Sequence, residues 1–224
     1  MLSMTLAAAF WVALHLLVAG PLRPALAARL GEQGFRGVFS LASAAGLAWL
    51  IFAFRAAPYV PLWQPLPGAR YVALVLVFLA FILLPFSIAP GNPTLAGADM
   101  LLKDRLPVHG MTRITRHPGL WAFALWAIAH LIADGDLAGV LLFGAILVTA
   151  LNGMVSIDRK RRRALGPAWD EFAAATSRLP FAAIIAGRTR LRLEELSPWR
   201  TGIGIALFAA ALWLHQRAGV SPLP

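Results

Sequence analysis

The sequence has no cysteine and little charge: Asp, Glu, Lys and Arg together make up 13% of its 224 residues. Without cysteine, disulfides, thiolate-bound zinc or iron–sulfur centres, cysteine nucleophiles and covalent c-type haem attachment are excluded. The scarce charge goes with 59% apolar residues and a mean hydropathy of +0.72. Soluble domains average about 25% charged and roughly 45–50% apolar residues, so a water-soluble enzyme is excluded, as is a disordered or collagen-like chain. No low-complexity tract and no internal repeat interrupts the pattern. What is present is a series of long apolar runs in a chain of one-domain length, 1–224. Together they describe a multi-spanning membrane protein.

A helix crossing hydrocarbon takes about 20 mostly apolar residues. Six segments meet or approach that length: 2–19, 37–55, 70–89, 118–133, 137–156 and 200–215. The expected fold is therefore all-α, a polytopic bundle of about six transmembrane helices. The first run has no Lys or Arg before it and no small-x-small cleavage signal after it, so it reads as a retained span rather than a signal peptide. Asp134-Gly135-Asp136 is a turn by composition and makes 118–156 a helical hairpin.

Basic residues set the orientation. Connection 20–36 carries three, connection 90–117 carries Lys103, Arg105, Arg113 and Arg116, and connection 157–199, taken through Arg200, carries ten; the opposite side has only Arg55, Arg70 and Arg217. This asymmetry predicts cytoplasmic placement of the three basic connections and both termini on the non-cytoplasmic side. A re-entrant hairpin at 118–156 gives the same count. The run Arg159-Lys160-Arg161-Arg162-Arg163 is explained by anchoring against anionic lipid, worth about 1 kcal/mol per residue. It lacks the aromatic interleaving and soluble basic domain of a nucleic-acid binder. An amphipathic surface helix is expected around 161–175. Trp49, Trp63, Trp199 and Trp213 fall near predicted interfaces, where aromatic belts form.

Ionisable groups inside spans are costly and mark sites. Here they are His15 in the first span and His130 in the fourth; Asn152 and the pair Ser40 and Ser43 add neutral polarity. Two imidazoles in separate apolar helices, without carboxylate or thiol, suit the two axial positions of haem iron. Zinc asks for three or four ligands, and a proton relay asks for Asp or Glu at the same depth. The plain alternative is that each histidine only hydrogen-bonds a neighbouring carbonyl or hydroxyl. At 1.5 Å per residue, His15 lies about 7 Å and His130 roughly 18 Å from the cytoplasmic ends of their spans, a gap that tilt or a longer first helix would close. Arg113 to His117 lead into the fourth span, with Pro118 suited to its first helical position. They could cradle a phosphate, a carboxylate or a haem propionate, or form a basic collar. His109 and His215 lie in a loop and near an outer boundary.

Several pieces together resemble the NnrU family: Thr115-Arg116-His117-Pro118, Leu125 to Leu131, Gly135-Asp136, Asp158-Arg159-Lys160, Trp169, Phe172, Thr176-Ser177 and Pro180-Phe181. The opening His15-Leu16, Arg23, Phe35 to Ser40 and the Asn92-Pro93-Thr94 stretch fit as well. The resemblance covers nearly the whole chain. That family is similar to the plant and cyanobacterial 15-cis-zeta-carotene isomerase, a haem b membrane enzyme, and this implies His15 and His130 as haem ligands; the cluster entering the fourth span then puts Arg116 and His117 near the propionates. The resemblance also implies a part in bacterial denitrification, hence a bacterial inner membrane location; two intramembrane imidazoles holding haem would there take nitric oxide or an apolar molecule as ligand. The isomerase pattern carries a cysteine three residues before the second histidine; Ala127 stands there, so a thiolate ligand is lacking. A more distant similarity, through Arg116-His117-Pro118, Asp158 and Leu165 to Phe172, is to membrane isoprenylcysteine carboxyl methyltransferases. Their paired Glu reads here as Asp158-Arg159. A transporter or scaffold with merely packed histidines is the remaining alternative.

Overall fold

The structure, a computed structural model, describes residues 1–89, 92–94 and 108–219. Among these the ordered elements are helical: α1 Leu2–Ala13, a π-helical turn Leu14–Val18, α2 Arg23–Ala56, α3 Ala69–Ser87, α4 Met111–Ile114, α5 Pro118–Asp134, α6 Leu137–Leu165, α7 Pro167–Ala175, α8 Ala182–Ile185, a 3-10 turn Leu193–Glu195 and α9 Pro198–Arg217. Helices α2, α3 and α6 are long and apolar enough to cross a membrane; Leu2–Val18 and Pro118–Asp134 are apolar but shorter. The expected all-α class holds. Lys103 and Arg105, counted in connection 90–117, lie outside the described residues.

Two expectations about connections are corrected. Residues 23–36 of the connection 20–36 are helical and belong to the second helix, not to an extension of the first, because Pro24 suits a helix start and Ala-rich sequence extends it. Gly31, at φ 72 and ψ 161, kinks this helix in a conformation open essentially to glycine alone. The expected surface helix 161–175 is two pieces. Helix α6 runs on through the basic run to Leu165, and Gly166 at φ 53 ends it before α7 begins at Pro167. The expected turn at 134–136 is present: Asp136 accepts from the amides of Ala138 and Gly139 at 3.2 and 2.9 Å, capping α6.

The chain divides into two compact units. One comprises Met1–Ala73 with Ala127–Gly153. Its interior is built largely from small residues, among them Ala7, Ala8, Ala53, Ala127, Ala129, Ala145 and Ala150, which let helix backbones approach closely. At Gly46 a β-carbon would come within 2.9 Å of the Phe10 ring, so α1 and α2 meet there only because a side chain is missing. Trp11 Nε1 donates to Thr149 Oγ1 at 3.2 Å. Large apolar residues such as Leu41, Phe52 and Val38 are exposed, as expected where lipid is the solvent. The other unit comprises Leu74–Trp126 with Met154–Pro224. Trp169 and Phe172 form its fully buried centre, with Val108, Leu165 and Ala173 against them.

Candidate functional site

Within the first unit, His15 occupies the π-helical turn that follows α1. Such i to i+5 turns occur mostly as single insertions and often mark functional positions. Its Nδ1 donates to the Trp11 carbonyl at 2.9 Å. The ring packs against Trp11 at 4.2 Å and edge-on to Phe39 at 5.5 Å. With the proton on Nδ1, the Nε2 lone pair is the one presented to any partner. His215 makes the same four-residue-back bond, to Ala211, so the bond alone does not single out His15; the π turn and the two aromatic neighbours do. His130 stacks on Phe143 at 4.5 Å and 25°, and Ala127, where a cysteine would stand, is wholly buried. The two histidines thus share one compact unit but have separate aromatic neighbours.

Arg116 and His117 belong to the second unit, and the structure gives them a partner that sequence reading did not assign as a site residue. Asp158 accepts from Arg116 Nη2 at 2.6 Å and from Arg116 Nε at 3.1 and 3.2 Å. It also accepts from His117 Nε2 at 2.8 Å. Arg178 Nε lies 3.4 Å away. The His117 side chain is 0% exposed; burial holds its pKa below the ordinary 6.5, against the opposing hydrogen bond to Asp158. The neutral ring therefore carries its proton on Nε2. Its Nδ1 is buried with no hydrogen-bond partner among the described residues.

The surrounding chain holds this group rigidly. Arg116 N donates to Ser177 O, Thr115 Oγ1 to Arg178 O, and Phe181 N to Ile114 O, at 3.0, 2.8 and 2.9 Å. Thr94 Oγ1 donates to the Arg116 carbonyl at 2.9 Å, and the buried Asn92 braces Thr94. Nearby, Glu195 accepts from Arg113 Nε and Nη2 and from the Gly110 amide at 2.7, 2.8 and 2.7 Å. Its carboxyl falls to about 2, first through the Arg113 hydrogen bonds, which outweigh burial. Pieces scattered over the sequence, Asn92-Pro93-Thr94, Thr115-Arg116-His117, Asp158 and Thr176-Ser177, converge here. The signal for Asp158 was available: the chain has only 10 carboxylates, and this one follows an apolar run of spanning length.

That convergence agrees with the family comparison, in which the model described as NnrU protein matches residues 3–222. The chain belongs to the NnrU family. Among curated proteins, this NnrU chain is similar to the chloroplastic 15-cis-zeta-carotene isomerase of Zea mays, 32% identical over 132 residues, which is 58% of this chain and 36% of that one. The Arabidopsis thaliana isomerase of the same name is 28% identical over 165 residues, 71% of this chain and 44% of that one. The chain thus spans less than half the length of these curated relatives. No solved structure matches it.

Proposed function

We propose that this NnrU protein is a multi-pass membrane protein that binds haem b through His15 and His130. The observation that carries the reading is the state of His15: an imidazole in a π turn of an apolar helix, its Nδ1–H committed to a backbone carbonyl. This is the tautomer and restraint that suit a ligating Nε2. Among the described residues no group of three His, Cys, Asp or Glu could hold a metal ion. A metal here would therefore bring its own equatorial ligands, as a porphyrin does, and the donor set fits haem. Bound haem would supply an iron able to take up a small nitrogen oxide once one of the two histidines is displaced, and nitrogen-oxide metabolism in a bacterial inner membrane is the role we assign. Arg116 and His117 are engaged by Asp158 within the second unit, and the haem reading rests on His15 and His130.

The named relatives favour a second reading, cis–trans isomerisation of a carotenoid polyene by the same haem. The residues' own part is the same in both readings: imidazole ligation, and an apolar surround that admits lipid-soluble or gaseous molecules.

The deciding measurement is the absorption spectrum of the purified protein, oxidised and reduced, after expression with ample haem. A Soret band is expected, abolished or strongly shifted by His15→Ala and by His130→Ala but not by His109→Ala. Parental spectra in both intramembrane variants would refute the ligand assignment. A spectral shift with nitric oxide selects the first role, and trans product from a 15-cis polyene in reconstituted membranes selects the second.

A further inference from the structure

A groove of about 260 Å³ opens in the second unit beside the Asp158 group, lined by Arg116, Thr176, Arg178, Leu179, Ala182 and Arg188 among others. Arg116, Arg178 and Arg188 are among its lining residues and no carboxylate is, so the groove is cationic. Most of its polar atoms are already used. Arg116 is committed to Asp158. Thr176 Oγ1 donates to Phe172 O, and Ser177 Oγ donates to Leu179 O while accepting from the Ala183 amide.

Two groups keep unused donors. Arg188 spends only Nη1, on the carbonyls of Ala174 and Thr176 at 2.6 and 2.8 Å. Arg178 has a single ion pair, through Nε, and its side chain is 47% exposed. The remaining N–H groups of both have no partner among the described residues. Paired guanidinium forks match phosphate oxygens in geometry and charge.

The rim beside these cations is apolar and exposed. Leu179, Phe181 and Ile185 are 62%, 46% and 84% accessible. Phe181 is held at φ 63, the one described non-glycine residue with positive φ. Its backbone N–H donates to the Ile114 carbonyl at 2.9 Å. Depth agrees. Arg116 lies two residues before α5 begins, and Asp158 lies two residues beyond the predicted span 137–156. At 1.5 Å per residue along α6, Asp158 is about 3 Å past the predicted end of that span, the level of lipid headgroups.

We propose that this groove binds the phosphodiester of an anionic phospholipid, with Arg178 and Arg188 on the phosphate and Leu179, Phe181 and Ile185 against its tails. The site is independent of haem and rests only on 137–156 being a span. The test titrates delipidated full-length protein in neutral detergent with phosphatidylglycerol, read by native mass spectrometry. Arg178→Gln should weaken binding about tenfold, the worth of lost charge-assisted bonds, and Arg178→Gln with Arg188→Gln should weaken it further. Arg188 also holds two carbonyls, so the exposed Arg178 variant is read first. Arg159→Gln with Arg163→Gln removes the same charge as the double groove variant, from exposed positions of the basic run, and should change affinity less than about twofold. Ile185→Ser should weaken phosphatidylglycerol but not glycerol 3-phosphate. Unchanged affinity in Arg178→Gln, or equal loss in the basic-run control, overturns the site. Displacement by equimolar inorganic phosphate overturns the lipid assignment.

Discussion

Asp158 shows how much one side chain carries. It neutralises the buried Arg116 and fixes the tautomer of the buried His117. Removing one partner of such a pair leaves a charge without compensation, which typically costs 3–5 kcal/mol. Asp158→Asn is expected to destabilise the fold by about 3 kcal/mol, seen as a drop in the thermal midpoint of the purified protein. Arg162, whose exposed pairing with Asp170 is screened, is the contrast: Arg162→Gln should cost less than about 1 kcal/mol. His117 adds a pH dependence. Its folded pKa is below 6.5 because burial disfavours the charged ring, so the unfolded chain binds the extra proton first. Stability is full above pH 6.5 and is lost as pH falls from there through the lower folded value. Glu195 acts further down, between its ordinary 4.5 and about 2, and its contribution is lost across that interval. His117→Gln should flatten the upper part of a thermal midpoint versus pH curve. An unchanged curve would mean that this imidazole is not the titrating group.

Elements were legible where apolar length decided them and illegible where a single backbone angle did. The runs at 37–55, 70–89, 118–133 and 137–156 all appear as helix, because twenty apolar residues have few alternatives. The tight turn at Asp134-Gly135-Asp136 was equally readable, since its residue types cap and bend. The kink at Gly31 and the break at Gly166 were not, because a glycine inside helix-forming sequence is tolerated as easily as it interrupts. Nor did sequence spacing bring Asn92, Arg116, Asp158 and Thr176 to one place; that pairing spans 84 residues of chain and depends on packing around Trp169 and Phe172. The His15 position was visible as an intramembrane imidazole, but its π turn was not. At Gly31, where φ is 72 and ψ 161, Gly31→Ala should destabilise by about 1–3 kcal/mol. Gly37 is helical with open space around its α-carbon, and Gly37→Ala should be neutral or stabilising by roughly 0.5–1 kcal/mol. Thermal unfolding of the two variants side by side distinguishes a required kink from general glycine intolerance.

At the scale of the molecule, orientation decides which chemistry each face can reach. Among the described residues three helices are long and apolar enough to span; the six-span reading adds Leu2–Val18, Pro118–Asp134 and α9. Absence of cysteine makes the question directly testable, because any introduced thiol is the only one in the chain. Arg159→Cys places a thiol on an exposed position beyond the fifth predicted span, and Gln64→Cys places one in the exposed segment between the second and third. If the basic connections face the cytoplasm, an impermeant maleimide added to intact cells labels Gln64→Cys but not Arg159→Cys, and both label after permeabilisation. A re-entrant hairpin at 118–156 leaves that pair unchanged, so Asp134→Cys discriminates: a full crossing exposes the hairpin tip on the outer side, whereas a re-entrant loop leaves it unlabelled until the membrane is breached. Labelling of Arg159→Cys from outside would invert the topology, moving the Arg116–Asp158–His117 group and the cationic groove to the opposite membrane face. The positive-inside argument, which rests on repulsion of translocated Lys and Arg, would then have failed for this chain.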